Sequence, residues 1–309
     1  MLKILVVGLG SIGRRHLKCL QELGNVEVAA LRTSKGTLKD ASGIKEYYSI
    51  EESFNFEPDG VIIANPTSLH VETAVPYLEK GIPVLIEKPV AYAAEDSYEL
   101  SKYSDLIRIA YCLRFHPLNK AIQSIIREEE IFKLSFKRSF YLPKWHPYAD
   151  YRTEYTAKKE LGGGVIRTLS HEIDLMIHWF GMPQSTVGVV DKVSDLEIDT
   201  DDYAFFSCKY SKGFRINFEL DFFSPVNVNV AELFTAKGKY HWDLKQLWFT
   251  PYEQTEQELI QEFTAESVNL MYLDQIKDFI IFINSKTSAN TTLKEAQQVL
   301  HIIEELDVR

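Results

Sequence analysis

Two separated groups of side chains in this sequence could do chemistry on an alcohol or a carbonyl. The first is Lys88, in Glu87-Lys88-Pro89, directly after the apolar run 84–86. Pro89 restricts the backbone of the residue before it, so the turn aims the lysine. A cationic amine there can hydrogen-bond a carbinol oxygen and stabilise developing negative charge; a lysine standing alone is otherwise simply solvated. The second group is Ser170-His171-Glu172-Ile173-Asp174-Leu175-Met176-Ile177-His178. On a helix, His171, Asp174 and His178 fall on one stripe. A carboxylate beside an imidazole fixes its tautomer. Histidine can take a hydroxyl proton as hydride leaves and return it in the reverse direction. The same three residues also suit a divalent metal or a structural helix pair. Hydride transfer needs no separate metal, and none is assigned.

Hydride chemistry is suggested by the N-terminus, where the apolar run 4–7 feeds into Gly8-Leu9-Gly10-Ser11-Ile12-Gly13. A G-x-G-x-x-G segment after a strand and before a helix allows a tight turn, close approach of a ligand to backbone, and a helix N-terminus aimed at a pyrophosphate. The first third of the chain then alternates strands (4–7, 26–31, 60–64, 84–86, 107–110) with helices (13–23, 70–80, 94–103). That rhythm gives a parallel sheet covered on both faces, whose ligands bind beyond the carboxyl ends of the strands. Asn65-Pro66-Thr67 and Glu87-Lys88-Pro89 join the glycine turn at those ends.

A helical segment at 164–180 leads into alternating stretches at 186–193, 203–210, 214–222, 228–235 and 240–248, and helices at 270–284 and 293–306 close the chain. The fold expected is α/β: a Rossmann doubly wound sheet over 1–117, then an α+β domain over 118–309 with a large, mostly antiparallel sheet and helices on one face. Phe218, Phe222, Phe234, Trp242 and Trp248 suit either a helix-covered core or a face for self-association, so a homodimer or homotetramer through this sheet is expected. The run Gly162-Gly163-Gly164 permits close packing or an unusual turn before the helix.

The second strand ends in Arg32-Thr33-Ser34-Lys35, with no Asp or Glu to accept from an adenosine ribose. Arg32 and Ser34 suit a 2′-phosphate, so NADP(H) is preferred with NAD(H) admitted; a solvated basic loop is the other reading. The segment from Trp145 through Tyr148, Asp150 and Tyr151 to Arg152 mixes rings, donors and a carboxylate. It suits the faces and hydroxyls of a sugar, with Arg152 available for a carboxylate or phosphate, or else forms an exposed loop.

The net charge of −10 over 309 residues, with scattered basic residues, disfavours a nucleic-acid surface. No apolar run approaches membrane-span length. The N-terminus enters its first strand without a secretory pattern, and the three cysteines form no C-x-x-C pair, so a cytoplasmic protein with free thiols is expected.

The separated motifs together resemble the glucose–fructose oxidoreductase / inositol dehydrogenase / MocA family across nearly the whole chain. The resemblance rests on the glycine turn, Asn65-Pro66 with His70, Glu87-Lys88-Pro89, Arg114-Phe115 with Pro117, and Asp174 followed by His178. It implies NAD(P)-dependent oxidation or reduction of a sugar, cyclitol or related polyol, with Lys88 orienting substrate, Asp174 near the reacting hydroxyl, His178 exchanging the proton and His171 lining the substrate pocket. Asn65, Pro66, His70 and Glu87 would border the cofactor. The 145–152 segment before the triple glycine is similar to members of surface-polysaccharide and sialic-acid-like pathways, which points to a nucleotide sugar. A polyol dehydrogenase, or a cofactor-binding sensor or scaffold without turnover, is the alternative.

Overall fold

A computed structural model describes residues 1–33, 43–147 and 149–307. Chain contacts divide it into two compact units, Met1–Phe115 with Leu270–Gln297 and His116–Asn269 with Gln298–Arg309.

In the first unit, β1 (Leu2–Val7), β2 (Val26–Leu31), β3 (Lys45–Tyr47), β4 (Gly60–Ile63), β5 (Val84–Glu87) and β6 (Ile107–Ala110) form one sheet ordered β3-β2-β1-β4-β5-β6. Every pairing is parallel. Its central strands are buried on both faces, which is why they read as unbroken apolar runs. Helices α1 (Ser11–Leu23), α2 (Ile50–Ser53) and α3 (His70–Glu79) connect them. Gly24, in the left-handed region at φ 69°, ends α1. The core around Ile4, Val6, Ile62 and Leu85 also takes Ile276, Phe279 and Phe282, spaced along one side of α8 (Ala265–Ser285). The sequence division at 117/118 assigns that stretch to the second domain; its apolar side chains gather it with the first unit. The helix expected at 94–103 is a 3₁₀ run, Glu95–Leu106. Its buried residues Ser97 and Leu100 are three positions apart, the 3₁₀ repeat, and the run is broken at Tyr103, whose φ −118° and ψ 18° are not helical.

The second unit holds β7 (Ile131–Tyr141), β8 (Ser185–Asp191), β9 (Tyr203–Lys209), β10 (Arg215–Asp221), β11 (Phe223–Thr235), β12 (Gly238–Trp242), β13 (Gln246–Pro251) and β14 (Glu258–Glu262), in the order β14-β13-β12-β11-β7-β10-β9-β8. All neighbours are antiparallel except β7 and β10. The helices are α4 (Pro117–Glu128), α5 (Leu142–Trp145), α6 (Val165–Thr168), α7 (His171–Phe180) and, from Gln298 onward, α9 (Leu293–Asp307). The sequence reading has no strand at 131–141, yet β7 is central. Its Leu134 and Phe136 face the core while Lys133 and Lys137 alternate outward, so charge masks the strand.

A single strand expected at 240–248 is a hairpin, because the Asp243 carboxylate accepts from the backbone N–H groups of Lys245 and Gln246 at 2.6 and 2.8 Å. Asp243→Ala should cost about 1 kcal/mol in urea unfolding; an unchanged midpoint would show that the turn holds without it.

Phe136 and Phe206 stack on Phe218 at 5.1 and 4.4 Å between ring centroids, and Trp179 of α7 stacks on Phe136 at 6.2 Å. Phe218, Phe222 and Trp242 are therefore core residues. Exposed apolar side chains on the strands include instead Val187, Val189, Phe205 and Val230. No described helix is long and apolar enough to cross a membrane.

Candidate cofactor and catalytic site

The glycine turn closes on itself. Gly8 has φ 87° and donates its N–H to Leu31 at 2.9 Å. A Cβ on Gly8 would lie 2.8 Å from the Ala64 carbonyl oxygen, and one on Gly13 would lie 1.9 Å from that of Gly8. A Cβ on Gly10, by contrast, would meet nothing within 4 Å. Above the turn is open space faced by the N-terminus of α1, which no side chain caps; Ser11 is exposed there and Ile12 half-buried. Uncapped helix N–H groups beside a glycine cradle fit the pyrophosphate of a dinucleotide.

At the end of β4, the Asn65 amide donates to Thr73 at 2.8 Å, and Pro66 is half-buried. His70 is 1% exposed, with Nε2 3.0 Å from the Asn65 carbonyl and Nδ1 3.0 Å from the Pro89 carbonyl. Burial holds its pKa below the ordinary histidine value, against the pull of those carbonyls. His70 thus ties the loop after β4 to the loop after β5.

Glu87 ends β5, buried, with one carboxylate oxygen 2.7 Å from His16 Nε2 and the other accepting the Lys88 N–H at 3.2 Å. His16 is on α1 and fully buried. The helix that follows the glycine turn is therefore bonded to the residue before Lys88. The Lys88–Pro89 peptide is cis. Nearby Cys112 is pushed up to about 12, by burial first and the Glu87 charge second, so it stays a protonated thiol.

Arg32 follows β2, and its guanidinium meets Glu46 of β3 at 2.7 Å, both side chains largely buried. Thr33 is exposed, and Ser34 lies outside the described residues.

In the second unit, α7 carries Asp174 (1% exposed) and half-buried His171 and His178. The Gln123 amide of α4 is 2.7 Å from His178 Nε2. The glycine run does what its composition suggests: Gly162 and Gly164 have φ 84° and 111°, and a Cβ on Gly163 would strike the Tyr155 and Thr156 carbonyls. The Asp201 carboxylate, beside Gly164, accepts the Ile166 N–H at 3.1 Å and steadies α6 ahead of α7. Among the described residues, no three His, Cys, Asp or Glu side chains converge as a metal-holding group.

The 145–152 segment is held by its own contacts. Trp145 lies 4.4 Å from the Phe140 ring and stacks on His146, whose Nδ1 meets Glu154 at 2.7 Å. Arg152 bonds both oxygens of Asp150 and, at 2.9 Å, Glu197. The Arg152 bonds hold the Asp150 carboxyl below its usual pKa. The Tyr151 hydroxyl accepts the Glu197 N–H at 3.3 Å, and Tyr148 lies outside the described residues.

Sequence reasoning missed three of these residues. His16 had a signal, since a polar residue on the apolar stripe of α1 needs a buried partner. Glu46 and Gln123 had none.

A six-stranded parallel sheet with a glycine cradle after its first strand defines a Rossmann dinucleotide-binding protein. Residues 2–105 match the family model described as "Oxidoreductase family, NAD-binding Rossmann fold", and 119–241 match the "GFO/IDH/MocA C-terminal domain". The chain belongs to the Gfo/Idh/MocA oxidoreductase family. It is 30% identical over 181 residues to the rhizopine catabolism protein MocA of Rhizobium meliloti, covering 55% of each chain. With scyllo-inositol 2-dehydrogenase (NADP(+)) IolW of Bacillus subtilis it shares 27% identity over 68% of this chain and 60% of that one. The chain spans about half the length of the curated relatives it matches first. Among solved structures, the WlbA dehydrogenase from Bordetella pertussis, in complex with NADH and UDP-GlcNAcA, shares the fold at TM-score 0.83 and 17% identity, covering 99% of this chain and 94% of that one. A myo-inositol dehydrogenase from Corynebacterium glutamicum does so at TM-score 0.78 and 21% identity, covering 100% and 97%.

Proposed function

We propose that the protein is a nicotinamide-dependent dehydrogenase or reductase acting on a hydroxyl or carbonyl of a sugar or nucleotide sugar. The observation that carries this is the His16–Glu87 bond, which ties the helix of the glycine cradle to the residue preceding Lys88. The dinucleotide, when bound, supplies or accepts the hydride. Gly8, Gly10, Ser11, Ile12 and Gly13 hold its pyrophosphate, and Asn65, Pro66, His70 and Glu87 shape the strand ends beside it. Lys88 donates a hydrogen bond to the reacting oxygen and stabilises its negative charge. His178 takes or returns the oxygen's proton, with Asp174 supporting the charged ring. Rotation of the Gln123 amide exchanges donor for acceptor, so it can partner His178 before and after that transfer.

Trp145, Tyr148, Asp150, Tyr151, Arg152 and His171 are proposed to contact substrate. Because Arg152 already pairs with two carboxylates, an acidic substrate group would compete with them. The sugar reading is supported by the WlbA complex with UDP-GlcNAcA, and a polyol reading by relatives named inositol 2-dehydrogenase. The exposed Val187, Val189, Phe205 and Val230 offer a face for homo-oligomers, and three buried free thiols suit a reducing cytoplasm.

Arg32, Thr33 and Ser34 are proposed to face the adenosine ribose, favouring NADP(H) while admitting NAD(H). Arg32→Ala should shrink the preference for NADPH over NADH by roughly tenfold or more. Equal binding of both by the parent chain, unchanged in the variant, would sink that assignment. Turnover is tested by mixing the cofactor-loaded protein with UDP-, GDP- and CMP-linked sugars, free sugars and inositols while following nicotinamide absorbance. A change with a sugar or nucleotide sugar is expected. Tight cofactor binding with no redox change across the panel would favour a sensor or scaffold.

A further inference from the structure

We infer that Glu46 is a determinant of cofactor choice, acting against the 2′-phosphate of NADP(H); this rests on the reading of Arg32 as facing the adenosine ribose. No carboxylate ends β2, but the parallel register of β2 and β3 sets Ala30 opposite Glu46 and Leu31 opposite Tyr47. The Arg32 N–H donates to the Tyr47 carbonyl at 3.0 Å, fixing that register where β2 ends. One Glu46 oxygen lies 2.7 Å from the Arg32 guanidinium, and the other accepts the Tyr48 hydroxyl at 3.0 Å. The two charged side chains are only 10% and 16% exposed. An arriving phosphate must share the guanidinium with a carboxylate already bonded to it, and it meets that like charge where water screens weakly. A ribose hydroxyl carries no charge and meets no such repulsion. Glu46 therefore restrains the preference that Arg32 alone would give and leaves NAD(H) usable.

The test measures dissociation constants of NADPH and NADH by fluorescence titration for the parent chain, E46Q, E46D and R32A. Glu46→Gln should raise the NADPH-to-NADH affinity ratio roughly tenfold. Glu46→Asp, which keeps the charge but draws it back by one methylene, should give a smaller rise and serves if E46Q folds poorly. A ratio unchanged or lowered in both Glu46 variants overturns the inference. R32A reports on the underlying reading separately: an unchanged ratio there, with a raised ratio in E46Q, would leave Glu46 as a determinant and remove Arg32. Failure of the parent chain to bind either cofactor would overturn both.

Discussion

Replacing Lys88 by alanine is expected to lower turnover by roughly 10²–10⁴-fold while leaving cofactor affinity nearly unchanged. The ammonium group is proposed to act on the substrate oxygen, where charge develops, whereas the cofactor is proposed to be held by the glycine turn and strand ends. Glu87 keeps both of its observed bonds in the variant, because one goes to His16 and the other to the backbone N–H of residue 88. The β5 turn should therefore survive. Steady-state rates beside NADPH and NADH titrations check this. Near-normal turnover with a true substrate would remove Lys88 from the mechanism, and parallel loss of cofactor affinity would reassign it to binding.

Gly13→Ala should abolish measurable cofactor binding and destabilise the first unit, by about 1–3 kcal/mol if the turn can shift at all. Its new Cβ would stand 1.9 Å from the Gly8 carbonyl oxygen, a backbone atom held by the same turn. Gly10→Ala is the informative contrast. That Cβ meets no protein atom within 4 Å, and Gly10 already has the ordinary backbone conformation φ −65°, ψ −167°. Unfolding should be unaffected, yet the methyl would enter the space assigned to the pyrophosphate and weaken binding of both cofactors alike. Thermal melts and titrations on the two variants separate the effects. Normal affinity in Gly10→Ala would mean that the phosphates lie elsewhere.

Much of the first unit was legible because its signals are local. An apolar run buried on both faces, then glycines spaced two and three residues apart, specify a strand and a turn from adjacent residues alone. The second unit was harder to read where pairing replaced pattern. β7 belongs in the middle of its sheet although only alternate residues are apolar, because β10 and β11 satisfy its backbone on either side. In the first unit the exception is β3, only three residues long and polar at two of them, so no periodicity could reveal it.

The sequence by itself determined the glycine cradle, the placement of Lys88 after a buried strand, and the stripe of His171, Asp174 and His178 along one helix. These depend on neighbours within a turn or two of chain. Only the tertiary structure decided who partners whom. His16 meets Glu87 across 71 positions, Gln123 meets His178 across 55, and Arg32 meets Glu46 through the register of two parallel strands. A buried or half-buried polar group must find a complementary group once water is excluded, and which group it finds is fixed by packing among distant segments.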